Sequence, residues 1–262
     1  ASGVEQGRRG ETEGFRNLLF KLHSSLGLDD TGKAILASIA LVYLFMLVTG
    51  AVLWWPRRWP PVLSIQLHKG LLRGLFDLHR TGGAVMGVLI AVSVASGAYM
   101  AWRPLGDVVT ALAGSAPVKA PKLPKLSPIE AAAPDADALL ATARAAIPGA
   151  PVFVLSLPAK DDRPVRVRFK LADDPHPNGL SSVWLDPRDG RVLAVNRWQA
   201  LDPGARAVAV VYPLHTGELG GVALEALVSL NGLALALLAV SGIWLWWKRR
   251  RMRLASAASK PA

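Results

Sequence analysis

Three of the five histidines each precede a long apolar run, where an imidazole is placed to bind a metal. His23, His79 and His215 lie just before runs of 22 residues that carry no charged side chain or almost none. An ionisable group near the hydrocarbon of a bilayer is costly, so such groups usually have a function. Neutral imidazole is the usual axial ligand of b-type haem, and the chain contains no cysteine. We therefore expect these three histidines to bind a metal.

The other two histidines have simpler interpretations. His176 lies in "DDPHPNG", a turn-rich stretch that predicts a solvated loop residue. His68 lies in "SIQLHKG", between two apolar runs, where an interfacial or structural role is expected. Zinc would need three or four clustered ligands. The carboxylates near the three candidate histidines share no spacing that would supply them: Asp29, Asp30, Glu218 and Glu225.

The sequence contains an internal repeat that includes two of the histidines. Residues 23–58 align without a gap on residues 215–250. Aromatic and basic belts are common at membrane edges, but a histidine and a glycine 27 residues apart in both copies are not. The matched positions are His23 with His215, Gly50 with Gly242, Trp54–Trp55 with Trp246–Trp247, and Arg57–Arg58 with Arg249–Arg250. The duplication predicts that the two histidines face each other across a helical bundle and hold a metal in the outer leaflet.

Composition predicts a membrane protein. The chain is 52% hydrophobic, and its mean hydropathy is +0.32. About 20 apolar residues suffice to cross a hydrocarbon core of about 30 Å. We predict transmembrane helices at residues 34–58, 81–103 and 214–248, each built around one of the 22-residue runs.

The charge distribution gives the chain an orientation. The net charge is +11, and the basic excess clusters at the ends of the apolar runs, as in "KRRRMR" after the third. This is the positive-inside pattern, so nucleic-acid binding is not needed to explain the charge. It predicts cytoplasmic segments at 59–80 and 249–262, and periplasmic segments at 1–33 and 104–213. A periplasmic start predicts either a further span upstream, which we favour, or an upstream signal that has been removed.

The region between the second and third runs reads as a small α+β domain. A Pro/Lys-rich linker (116–128) precedes an amphipathic helix at about 135–147, with Asp135 as the N-cap. Alternation in "VRVRFKL" predicts a sheet with one wet face. Arg163, Arg166 and Arg168 are expected to be exposed, where they would either attract anions or form only a solvated strand face. The strand-like runs are 152–158, 165–171, 181–186 and 191–198.

The second run carries small residues at helical spacing. Gly83 and Gly87, and then Ser93 and Gly97, lie on one helical face. This spacing favours close helix packing and equally favours room for a flat cofactor.

These motifs resemble a known family. "LHSSLGL…G…LVTGAVLWWPRR", "LHRTGG…SGAYM" and "LHTGELGG…AVSGIWLWWKRR" are similar to the PepSY-associated transmembrane family, and "LLATARAAIPGAPVFVLSLP…VRVRFK…VWLDPRDGRVLAV" resembles the PepSY module. The resemblance runs from about residue 20 to 250. It implies a mainly α membrane protein: a helical bundle with three spans here and four in the family, plus a small periplasmic α+β PepSY-like domain.

Members similar to this chain include inner-membrane ferric-siderophore reductases with two b haems. The resemblance implies that His23 and His215 ligate the outer haem, and that His79 ligates an inner haem whose second ligand lies on a further helix. Suggested partners of the haem propionates are Arg16, Lys21 and Arg80. Electrons from an unknown cytoplasmic or membrane donor would then reduce a periplasmic ferric siderophore and release the iron.

Two other functions stay open at this point. One is a non-enzymatic, membrane-anchored PepSY protein that binds or regulates a periplasmic partner. The other is a quinol-linked cytochrome b, which shares the haems and differs in its redox partner.

Overall fold

The computed structural model describes residues 13–56, 63–112, 114–115, 120–123, 134–158 and 163–258. The predicted Arg57–Arg58 pair and most of the predicted linker 116–128 lie outside these residues. The chain divides into two compact units, Ala1–Leu105 with Glu225–Ala262, and Gly106–Leu224.

Eight α-helices and four strands account for most of the described residues. The helices are α1 (Phe15–Ser25), α2 (Asp29–Trp54), α3 (Leu71–Ala101), α4 (Arg103–Leu112), α5 (Ala136–Ala146), α6 (Pro203–Ala209), α7 (Val211–Thr216) and α8 (Gly221–Ala258). The strands are β1 (Val152–Ser156), β2 (Val165–Phe169), β3 (Ser181–Leu185) and β4 (Val192–Asn196). Short 3₁₀ turns occur at Leu67–Lys69, Trp198–Ala200 and Glu218–Gly220.

Within the described residues, three helices are long and apolar enough to cross a membrane: α2, α3 and the helix that includes α8. Large apolar side chains project from them into the surroundings, including Phe45, Leu53 and Val88. Lipid provides a favourable contact for such side chains, and a helix satisfies its own backbone hydrogen bonds there. The prediction of a mainly α membrane protein is confirmed.

All three membrane helices differ from the predicted segment boundaries. Helix α2 runs from Asp29 to Trp54, whereas the prediction was 34–58. Helix α3 begins at Leu71, so its first turns occupy residues that the sequence assigned to the connection 59–80. Gly70, at φ 89°, ends the preceding 3₁₀ turn and starts this helix. The predicted segment 214–248 is divided at Gly217, where φ is 86°, and α8 begins only at Gly221.

In the second unit, the four strands form one antiparallel sheet in the order β1-β2-β3-β4. One face of the sheet packs on α5. The side chains of β2 that face this core are Val165, Val167 and Phe169, all 1% exposed or less. Helix α5 begins after Asp135, whose side chain accepts a hydrogen bond from the Ala138 N–H at 2.8 Å. The helix, its cap and the four strands match the α+β prediction.

The opposite face of the sheet is less wet than the alternation predicted. All five residues of β3 are buried, including Trp184 at 8% exposed. Arg166 lies over the Trp184 ring, with the guanidinium carbon 5.0 Å from the ring centroid. Arg163 is exposed, whereas Arg166 and Arg168 are partly buried. The prediction that all three arginines are exposed was therefore wrong for two of them, because the Arg166 guanidinium packs on the Trp184 ring and the Arg168 guanidinium donates to the Gly179 carbonyl of a loop.

Truncating the α5–sheet core should destabilise the second unit strongly. Phe169→Ala removes a fully buried ring and should lower the free energy of unfolding by about 3–5 kcal/mol. Phe153→Ala on β1 is the control, because that ring is 52% exposed and its loss should cost less than about 1 kcal/mol. Urea unfolding of the purified protein in detergent measures both; equal destabilisation would contradict the assigned core.

Candidate functional site

His79 on α3 is held against α8 by a hydrogen bond to that helix. Its Nδ1 lies 3.0 Å from the Ser241 Oγ, and the Ser241 hydroxyl donates to the Leu238 carbonyl at 3.2 Å. Metal-binding histidines usually donate one ring N–H to such an acceptor, which fixes the ring and leaves the other nitrogen for the metal. With the proton on Nδ1, Nε2 would be the metal-binding atom.

Glycines shape the space around this ring. A Cβ placed on Gly242 would lie 3.1 Å from the His79 Cε1, so the ring occupies space that only glycine leaves. A Cβ on Gly82 would meet Leu238 at 3.6 Å, which is ordinary helix packing. Cβ atoms on Gly83 or Gly87 would meet nothing within 4 Å among the described residues. Gly82, which the predicted small-residue face did not include, therefore fits helix packing. Gly83 and Gly87 of that face leave room beside α3.

A second polar contact joins the same two helices. The Asn231 Nδ2 donates to the Ser93 Oγ at 2.9 Å, and Asn231 is 1% exposed. Its Oδ1 is buried and has no hydrogen-bond partner among the described residues. Hydrogen bonds of this kind hold helices together in lipid. The sequence analysis missed Asn231, although a single amide within an apolar run was a usable signal.

A buried carboxylate lies near the start of α3. Asp77 is fully buried and accepts from the Arg73 Nε at 3.0 Å and the Gln66 backbone N–H at 3.2 Å. Two guanidinium groups lie over the adjacent Phe76 ring. The guanidinium carbon of Arg73 is 5.9 Å from the ring centroid, and that of Arg249 on α8 is 4.8 Å from it. These contacts connect the basic end of α8 to the start of α3, one turn before His79.

The two matched histidines lie in matched local structures. His23 is near the end of α1, and His215 is near the end of α7. In each copy, a break with positive φ follows, and the apolar helix begins six residues after the histidine, at Asp29 or Gly221. Those two starting residues also share a positive φ, 48° and 59°. The duplication seen in sequence is therefore also present in the backbone.

His23 and His215 belong to different units, so their pairing across one metal stays a prediction. His23 is exposed, and His215 is partly buried. Of the predicted propionate partners, Lys21 forms a salt bridge with Asp29 at 2.6 Å. The Arg80 Nε is buried without a hydrogen-bond partner among the described residues, which suits an anionic group.

His176 is buried, and the prediction of a solvated loop residue was wrong. It is 5% exposed, and its ring stacks on Tyr212 of α7 with centroids 5.3 Å apart. The Asp174 carboxylate accepts from the backbone N–H groups of His176 and Leu180, and the His176 Nδ1 accepts from the Asn178 N–H at 3.1 Å. This turn geometry closes the loop over the ring. An aspartate two residues before the histidine was the available signal.

The loop with His176, which connects β2 to β3, contacts the helix that carries His215 through the stack of His176 on Tyr212. Tyr212 lies one turn before His215 on α7. Burial lowers the pKa of His176, and the nearby charges of Arg168 and Lys170 lower it further, while Asp174 opposes them.

Comparison with known proteins identifies the family. The chain matches the family described as the PepSY-associated TM region over residues 1–249. The chain belongs to this family. An uncharacterized protein of Pseudomonas aeruginosa is 30% identical over 260 aligned residues, which cover 89% of this chain and 64% of that relative. This PepSY-associated TM protein thus spans less than two thirds of that relative.

Acid should destabilise the second unit of this PepSY-associated TM protein through His176. Because its folded pKa lies below the unfolded value of about 6.5, the stabilisation is complete above that pH and is lost as pH falls through the folded pKa. We expect His176→Asn to flatten this part of the stability profile.

The measurement is the unfolding midpoint of the second unit between about pH 7.5 and pH 5. His68→Asn is the matched control, since His68 is exposed. A wild-type acid dependence that survives unchanged in His176→Asn would show that other groups cause it.

Proposed function

We propose that this membrane protein is a haem-b-containing oxidoreductase that passes electrons across the inner membrane to a periplasmic ferric siderophore and releases its iron. One observation carries the proposal: His79, within an apolar helix, is held by Ser241 and seated on Gly242, beside the open face of Gly83 and Gly87. An imidazole fixed by a hydroxyl acceptor beside free space is what axial ligation of a flat cofactor requires.

The residues present fit b-type haem. Imidazole is a common ligand of haem iron, and a bound haem would supply one-electron chemistry. The described residues contain no group of three histidine, aspartate or glutamate side chains placed to hold a metal ion. His79 would hold the inner haem, and the buried, unpaired Nε of Arg80, one residue later, would face a propionate.

His23 and His215 would hold the outer haem. The matched breaks after α1 and α7 support this assignment, because each histidine lies six residues before the start of its apolar helix. A ligand at the end of a short, separate helix can be oriented independently of the span that follows. Both copies of the repeat have the same spacing, which is the reason to assign the same role to both histidines.

The basic end of α8 supports the proposed orientation. Arg250 lies over Trp246, with the guanidinium carbon 5.5 Å from the ring centroid, and Arg251 lies over Trp247 at 4.1 Å. Aromatic and basic side chains combined in this way are typical of a membrane interface, and the positive-inside rule makes this end cytoplasmic. The second unit would then be periplasmic, where ferric chelates arrive.

The residues of the second unit would position the substrate and need not take part in covalent chemistry. Reduction of the bound iron weakens its coordination by hard oxygen ligands, because Fe(II) has a lower charge and is softer than Fe(III). Iron release therefore follows from the electron alone. A chelate docked on the second unit would lie on the same unit as His215.

Electron transfer to a ferric siderophore is the direct test. We expect dithionite-reduced, purified full-length protein to return to its oxidised visible spectrum when a ferric siderophore is added, with Fe(II) trapped by a chromogenic chelator. His215→Ala should slow this reaction by at least about tenfold, and His68→Ala should leave it unchanged.

The alternatives give different results in the same assay. A colourless protein with no haem would support a membrane-anchored PepSY module that binds a periplasmic partner. Reoxidation by a quinone, with no response to the ferric siderophore, would indicate a quinol-linked cytochrome b. The iron-free siderophore controls for binding without electron transfer.

A further inference from the structure

The face of the sheet opposite α5 carries two arginines and a tryptophan side by side. In the β2–β3 register, Arg166 lies opposite Trp184, and Arg168 lies opposite Ser182. Because side chains alternate along a strand and directly opposed residues share a face, these four side chains lie on one face. This face points away from the apolar core.

Both guanidiniums are partly held by neutral groups. The Arg166 Nε donates to the Ser182 Oγ at 3.0 Å, and its guanidinium lies over the Trp184 ring. The Nη2 of Arg168 donates to the Gly179 carbonyl. Among the described residues, neither arginine forms a salt bridge.

Two N–H donors on this face are buried without an acceptor. The Arg168 Nε and the Trp184 Nε1 each have no hydrogen-bond partner among the described residues. Trp184 is 92% buried, and a buried donor left unpaired costs about 1–3 kcal/mol. Two such donors on one face indicate that an acceptor belongs there.

The electrostatics of the face call for an anion. The pKa of Arg166 is lowered to about 10 by burial and then by the charge of Arg168. Asp174 is the carboxylate that interacts with Arg168, but its oxygens already accept from the backbone N–H groups of His176 and Leu180. The positive charge on this face therefore has no carboxylate dedicated to it among the described residues.

We propose that Arg166, Arg168 and Trp184 bind a carboxylate group of a small ligand, which under the proposed function is a carboxylate-bearing ferric chelate. A carboxylate offers two oxygens with about four acceptor positions, which suits the planar guanidinium fork and an indole N–H together. Arg166 covers the Trp184 ring in the structure, and the ligand would bind after this long side chain rotates off the indole. Only the identity of the ligand as a ferric chelate rests on the proposed function.

The site lies beside the helix that presents His215. The Arg168 Nη2 donates to the Gly179 carbonyl in the loop that contains His176, and the His176 ring stacks on Tyr212 of α7. A carboxylate bound at Arg168 would therefore be close to α7 within the second unit. This position suits a ligand that receives an electron from the His215 side.

Isothermal titration of the oxidised full-length protein in detergent with citrate and with ferric citrate tests the site. Arg168→Gln removes a charged donor and should weaken binding about tenfold or more. Trp184→Phe keeps an aromatic ring but removes the pyrrole half of the indole with its N–H, and it should weaken binding about threefold or more. Arg163→Gln is the control, because Arg163 is exposed just before β2 and should bind as the wild type does.

The outcomes separate this site from the proposed function. His215→Ala should bind citrate with wild-type affinity. Wild-type protein that binds citrate but passes no electron to a ferric siderophore would overturn the reductase and retain the site. Wild-type affinity in folded Arg168→Gln and Trp184→Phe, or no citrate binding by the wild type, would overturn the site. If a thermal melt shows that Trp184→Phe is unfolded, Arg166→Lys is tested in its place. Weaker citrate binding by Arg166→Lys would support binding through the planar guanidinium, and unchanged affinity would contradict it. Binding of citrate with exclusion of ferric citrate would overturn the chelate assignment.

Discussion

The structure of the first unit depends on one constraint: a polar group placed among apolar helices must find its partner within the protein. Contacts between α3 and α8 meet this constraint for the His79 Nδ1, which bonds Ser241, and for the Asn231 Nδ2, which donates to Ser93. Each pair fixes the rotation of one helix against the other, because a hydrogen bond in lipid has no water to replace it. The orientation of the His79 ring is thus a consequence of helix packing, and the glycine at 242 makes that packing possible.

The second unit meets a similar constraint by different means. Its core is an ordinary layer of aliphatic and aromatic side chains between α5 and the sheet. Its other face combines arginines, a tryptophan and a closed polar turn around His176, and that turn contacts the helix with His215. The anion-binding surface proposed for this unit and His215, the candidate haem ligand, thus belong to the same small domain. The two halves of the proposed function, substrate docking and electron delivery, then meet on one unit.

Much of this arrangement could be predicted from the sequence where a single physical signal dominated. Long apolar runs gave the three membrane helices, and Asp135 with the alternating strand pattern gave the α+β domain. The repeat located the matched positions of His23 and His215. The failures have a common cause: the environment of His176 and of Arg166 is set by residues distant in sequence, Tyr212 and Trp184. Local composition indicates solvent for such residues, whereas tertiary contacts bury them. Asn231 was missed because one amide barely changes the hydropathy of a long run.

The central claim is that two imidazoles from the duplicated segments share one haem iron. Haem content and the reduced visible spectrum of purified His23→Ala, His215→Ala and the double variant test it most directly. If both ligate the same iron, each single variant loses the same haem and the double variant loses no more. His79→Ala should remove a different haem. Full haem content in both single variants, or losses that add in the double variant, would contradict the account.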